Sequence, residues 1–186
     1  MKKRIAAMFL FLIYIVLLPS CAEKEEPAPD GQLGDNVYYY YDAEKNTVTI
    51  RGSGPMWDFD STPYGGETET VPWSPFGPDG YADLNAIVIE EGITYLGQDT
   101  MLAIAVDRII FPSTLQGFGY CSLLKVDVDE IYFCGDAPSE FDETSIYGCS
   151  EDLTVFYPPD ASGWSTPTWY GFQTAPYAGN PYRDFT

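Results

Sequence analysis

Two short runs of carboxylates, Asp58-Phe-Asp60 and Asp127-Val-Asp129-Glu130, bunch the oxygen ligands that a hard cation such as calcium requires. Neither fits the twelve-residue calcium loop, which needs a central Gly and a closing Glu. The chain carries 28 Asp and Glu, so chance alone would bring two together as a glycosidase-like pair. Such a pair works only when one acid sits in an apolar cleft that raises its pKa. There is no His anywhere, which removes the commonest general base and the commonest metal ligand together. G-x-S-x-G, H-E-x-x-H and a phosphate-cradling Gly loop are absent as well. These residue types point away from turnover: we expect no enzyme, no catalytic residue, no metal site and no cofactor.

Thiols and aromatic rings remain. Cys21 closes the N-terminal leader, while Cys121, Cys134 and Cys149 lie in the body of the chain. Three thiols allow one disulfide with one left over, Cys134 with Cys149 being the more local pair. The preferred alternative is three buried thiols serving as small core hydrophobes. No CxxC pair is present for zinc. Aromatic residues make up 16% of the chain, more than a small core demands. Exposed Tyr and Trp join apolar area to a polar tip, which suits recognition of proteins or sugars. In the run Val37 to Tyr41, alternate rings must point to opposite faces of a strand, leaving one pair outside. Tyr38, Tyr40, Trp57 and Trp73 are therefore the candidate ligand-binding residues. Their competing role is packing beneath the loop from Asp58 to Asp83.

Charge narrows the partners. Against 28 acidic residues stand 9 Lys and Arg, a net charge of −19. Lys2, Lys3 and Arg4 belong to the leader, so its removal deepens the imbalance. Such a surface repels phosphate backbones and anionic headgroups, which excludes nucleic acid as a partner. The leader itself, MKKRIAAMFLFLIYIVLLPSC, has a basic start and an apolar run from Ile5 to Leu18. That run is shorter than the ~20 residues needed to span a bilayer, so residues 1–20 read as a signal peptide. Residues 21–35 are charged and rich in Pro and Gly, the composition of a flexible tether.

Periodicity supplies the strands and turns on which these side chains sit. Val37 to Tyr41 and Thr47 to Gly52, rich in β-branched and aromatic residues, flank the polar turn Asp42 to Asn46 and predict a β-hairpin. The stretch from Asp58 to Asp83 keeps no strand or helix period, and with the hairpin it makes an N-terminal unit over 36–83. From Leu84 to Tyr157 the chain repeats: Ile87, Ile109, Ile131 and Leu153 fall in one column at a spacing of 22 residues, and Ile89, Phe111, Phe133 and Val155 in another. Asn85, Asp107 and Asp129 share a polar column, and Leu96 matches Phe118, Gly97 Gly119, and Met101 Leu123. A period in the twenties means stacked coils, because one unit is too small to bury its own apolar face. Trp57 and Trp73 are expected to cover the open N-terminal end of that stack. Each unit opens on a short strand and has a second short extended piece, such as Ile93 to Leu96. Its remainder, such as Gln98 to Ala105, suits a turn or a 3₁₀ segment. Past Tyr157 no strand pattern is legible, and Trp164, Trp169, Tyr170 and Phe172 over 158–186 read as a C-terminal cap.

IVIEEGITYLG followed by IIFPSTLQGFG resembles the leucine-rich repeats of the BspA-like family, and TVTIRGSGPMWDF with PWSPF resembles the segment that precedes such arrays. IYFCGDAP and LTVFYP are similar to closing repeats, although Thr100-Met101 stands where the family's Ala-Phe step is usual. The resemblance implies a surface protein used for contacts with other molecules, often adhesion. Leu18-Pro19-Ser20-Cys21 likewise resembles a bacterial lipobox, which implies cleavage before Cys21 and a lipid on its thiol. The expectation is a mainly β chain: a leucine-rich repeat solenoid of about three coils over 84–157, preceded by a β-hairpin and an aromatic capping loop. It would be exported, lipid-anchored at the bacterial envelope and exposed there. It would bind an extracellular protein or, alternatively, a glycan through Tyr and Trp, and would touch the membrane through the anchor only.

Overall fold

The computed structural model describes residues 27–59 and 83–182. The signal peptide, Cys21, Trp73 and most of the loop from Asp58 to Asp83 lie outside them. Within the described residues the chain is all strand and turn, with no helix. The first strands are β1 (Gly31–Gly34), β2 (Val37–Asp42), β3 (Thr47–Gly52) and β4 (Gly54–Pro55). A first coil comes next with β5 (Asp83–Ile89), β6 (Ile93–Leu96) and β7 (Met101–Leu102), and a second with β8 (Ala105–Phe111), β9 (Gly117–Phe118) and β10 (Leu123–Leu124). A third holds β11 (Asp127–Phe133) and β12 (Ile146–Tyr147), and the chain ends in β13 (Thr154–Tyr157), β14 (Thr168–Trp169) and β15 (Phe172–Pro176).

Stacking these coils gives a three-sided parallel β-solenoid of about four turns with a period of about 22 residues. The long strands β3, β5, β8, β11, β13 and β15 run parallel along one side of a nine-stranded sheet. β4, β6 and β9 make the second side, and β7, β10 and β12 the third. Strand alternation explains the interior: Ile87, Ile109 and Ile131 pair in register and are fully buried, as are Ile89, Phe111 and Phe133. Leu96 pairs with Phe118 and Met101 with Leu123, as the repeat frame requires.

The frame slips in the third coil. Ile131 pairs with Val155, not with Leu153, so this step is two residues longer than the two before it. A slip of two keeps every side chain on its own face, and Leu153 and Val155 are both buried. Hydrophobic alternation therefore cannot distinguish the two registers. The segment Gln98 to Ala105, where a turn or a 3₁₀ piece was expected, opens on a turn and continues into β7, with no 3₁₀ helix. The N–H groups of Met101 and Ala103 donate to Ser122 O and Leu124 O of the next coil, both at 2.8 Å, and so are taken from local bonding.

Two columns hold each corner. Thr100, Ser122 and Ser145 are buried hydroxyls, and Thr100 and Ser122 donate to the carbonyls of Gly97 and Gly119 three residues back. Ala103, Lys125 and Gly148 take left-handed backbone, with φ of 50°, 54° and 67°, turning the chain toward the next long strand.

Both ends depart from the sequence expectation. The tether assigned to 21–35 stops earlier, because Gly31–Gly34 pairs antiparallel with β2 and buries Leu33. Leu33 and Tyr39 of β2 belong to the inner core at this end, where Trp57 and Trp73 were the expected cover; Trp73 lies outside the described residues. Trp57 instead lies 38% exposed, its indole Nε1 donating to Asp35 at 3.0 Å. At the other end β14 and β15 form a hairpin where no strand was expected, turning on Tyr170 and Gly171 with φ of 48° and 89°. Two consecutive positive φ values are what a tight two-residue hairpin demands. The aromatic cap is present: Phe133 meets Trp164 at 4.8 Å, and Phe141 meets Trp169 at 4.2 Å between ring centroids.

Candidate functional site

Polar and aromatic side chains gather at two clefts. The first lies on the outer face of the hairpin. Alternation along β2 buries Tyr39 and sends Tyr38 and Tyr40 outward, half-buried. Arg51, on the neighbouring strand β3, stacks its guanidinium over Tyr40 at 5.0 Å and pairs with Glu90 at 2.9 Å. A hollow of about 410 Å³ lies there, lined by Tyr40, Lys45, Thr49 and Arg51 among others. Trp57 is not part of it: it sits at the β1–β2 turn, against Asp35. Of the residues singled out in the sequence, Tyr38 and Tyr40 share the outer face of β2, Trp57 lies apart from them, and Trp73 lies outside the described residues.

The second cleft lies on the short-strand side formed by β7, β10 and β12. Register places Leu102, Leu124 and Tyr147 in one outward row, because Leu124 pairs with both of the others. Asp99 N donates to Tyr120 O and Cys121 N to Thr144 O, which brings the preceding corner alongside. The result is a groove of about 510 Å³ lined by Asp99, Tyr120, Cys121, Leu124, Lys125, Thr144 and Tyr147. Its two tyrosines are the most exposed large hydrophobic residues described, at 61% for Tyr120 and 62% for Tyr147. A hydrogen bond with the Cys121 thiol, and more distantly the carboxylate of Asp99, push the Tyr120 phenol above its usual pKa. Asp142 rims this region; its carboxylate accepts from Thr144 Oγ1 at 2.5 Å and Thr144 N at 2.7 Å, which lowers its pKa.

Cys121, Cys134 and Cys149 are free thiols. Cys121 is buried in the groove floor. Cys134 packs on the outer face of the long-strand sheet with Ala86, Val88 and Ile110, and donates to Tyr182 Oη at 3.3 Å. Cys149 packs against the inner core, its thiol pushed up to about 11 by burial. The local pair Cys134–Cys149 is therefore not formed, and the two sulfurs belong to different apolar clusters. Of the calcium candidates, Asp127 and Asp129 are exposed on one face of β11, and Asp60 lies outside the described residues. No group of three or more Cys, Asp or Glu among the described residues is placed to hold a metal ion.

Neither tyrosine of the groove stood out in the sequence. Tyr147 is 23 residues from Leu124, not 22, since the third coil carries an extra residue in its irregular loop. The outward row would have shown it had that insertion been placed. Chemically the groove offers two ring faces, an apolar floor, one carboxylate and one ammonium, which is equipment for binding. Among the described residues no helix is long and apolar enough to cross a membrane. Comparison with protein-family models, with curated proteins and with solved structures gives no match to this chain.

Proposed function

We propose that the chain is a non-catalytic binding protein of the bacterial cell surface, a short leucine-rich repeat solenoid of the BspA-like kind. It acts in adhesion or another protein–protein contact, and its ligand is an extracellular protein. The observation that carries this reading is the exposure of Tyr120 and Tyr147 on one side of a rigid stack. Solvated aromatic rings are poor contributors to stability and good anchors at interfaces, because they combine large area with few rotatable bonds. The acidic balance supports a protein or neutral ligand over nucleic acid. The lipobox-like ending at Cys21 supports export and anchoring through a lipid, with no other membrane contact.

Carbohydrate capture is the second reading, favoured by the pairing of exposed rings with a carboxylate in the same groove. The test is binding of the full chain to immobilised extracellular matrix proteins, mucins and free glycans, read by surface plasmon resonance. Saturable binding to a matrix protein supports adhesion. Binding confined to glycans replaces it with carbohydrate capture, and no binding to any of the three classes removes both.

A further inference from the structure

From the Tyr120–Tyr147 groove we infer a saccharide subsite: a neutral pyranose seated between the two rings, with its hydroxyls on Asp99. The inference rests on the surface-binding reading and names what this groove takes; a glycoprotein would present both the protein and the sugar.

Asp99 is the central residue. The residue lines the groove while only 8% of its surface is exposed. Among the described residues its carboxylate accepts from Gln98 Nε2 at 3.4 Å, near the limit of a real bond. Neither ion pair among the described residues involves it. With one long hydrogen bond from Gln98, this carboxylate keeps lone pairs that O–H donors of a ligand in the groove can use. Two adjacent hydroxyls of a sugar supply two O–H donors at the spacing of the two carboxylate oxygens. At Asp99 itself an anion would be repelled, which favours a neutral hydroxyl donor at that point.

The surroundings supply the rest of a pyranose's needs. Sugar rings present C–H groups on one face, and the exposed rings of Tyr120 and Tyr147 offer apolar area for them. Leu124 and Cys121 make an apolar floor. Lys125 is exposed and takes part in neither ion pair among the described residues, so its three N–H donors are open to ring or hydroxyl oxygens. The left-handed backbone at Asp99, Cys121 and Lys125 (φ of 52°, 50° and 54°) holds both flanks of the groove in place.

The experiment uses the purified full chain on an array of neutral and acidic oligosaccharides, followed by titration calorimetry with the best neutral binder. Tyr147→Ala and Asp99→Asn are compared with Tyr170→Ala, an exposed ring outside the groove. Asn tolerates left-handed backbone and keeps the size of Asp, so Asp99→Asn is expected to fold, as circular dichroism will check. The expected result is saturable binding of a neutral oligosaccharide, weakened about tenfold or more by each groove substitution and unchanged by Tyr170→Ala. Equal binding by the parent and Tyr147→Ala overturns the inference, and so does a silent array. A silent array with continued binding to a matrix protein sinks the sugar subsite alone; silence toward both removes the surface-binding reading with it.

Discussion

The carbonyl oxygen of Trp57 lies 1.8 Å from where a β-carbon on Gly97 would sit. The chain leaving β4 thus passes directly over the corner of the first full coil, and only a hydrogen fits between them. Gly119 repeats the arrangement one coil later, with the backbone nitrogen of Gln98 2.5 Å from its would-be β-carbon. Gly97→Ala must push two backbones apart, which no rotamer change can avoid. We expect it to lower stability by about 1–3 kcal/mol, read as a fall in Tm by circular dichroism. An unchanged Tm would mean that the first coil separates from the segment at Trp57 without cost.

Phe133 joins the last full coil to the C-terminal cap. It is buried and meets Phe111 at 4.9 Å, Trp164 at 4.8 Å and Trp169 at 6.0 Å. Phe133→Ala leaves a cavity walled by rings that are themselves held by β13 and by the hairpin of β14 and β15. A loss of about 3–5 kcal/mol is expected from urea unfolding. Tryptophan emission should shift to the red at the same time, because Trp164 and Trp169 gain water. A loss without the spectral shift would place the damage elsewhere than the cap.

Alkaline pH should destabilise the fold, with a sign set by burial. Burial raises the pKa of Cys149, from 9.0 to about 11, and also raises those of Cys134, Tyr177 and Tyr182. A group whose folded pKa exceeds its unfolded value keeps its proton longer in the fold. Its contribution is whole below the unfolded pKa and is lost as pH climbs through the folded one. For Cys149 the window therefore opens near 9.0 and closes at about 11. Tm is expected to hold from neutrality to about pH 9 and then decline, and Cys149→Ser should make that decline shallower. A Tm that rises above about pH 9 would contradict the burial of these groups.

Much of the fold was legible in the sequence, for a physical reason. Ile87, Ile109 and Ile131 recur because one stacked coil must place the same apolar group over the next, and such columns survive in a bare string of letters. Tyr38 to Tyr41 could be split into inward and outward rings by strand alternation alone. The rest depends on facts that strand alternation and the coil repeat do not encode. The two-residue slip at Ile131 and Val155 preserves facing, so it leaves no mark. Leu33 is a lone apolar residue in a polar stretch, and only pairing with β2 makes it core. Tyr120 and Tyr147 come to line one groove because of an inserted residue in the third coil, and their exposure depends on which way a corner turns.

Anchoring offers a test independent of the fold. If Cys21 carries a lipid, cells fed a labelled fatty acid should label the parent chain and not Cys21→Ser. The substituted chain should also leave the membrane fraction. Unlabelled parent protein recovered in the medium would replace the anchor with simple secretion.

The nine-stranded sheet ends in antiparallel neighbours at both margins, β1 against β2 and β14 against β15. Head-to-tail templating needs an edge that continues the parallel stack, and here each terminal strand lies antiparallel to its neighbour and is only four or two residues long. At these two margins a second molecule meets a short strand set against its neighbour, so coil-by-coil extension of the long-strand sheet from one molecule into the next is disfavoured.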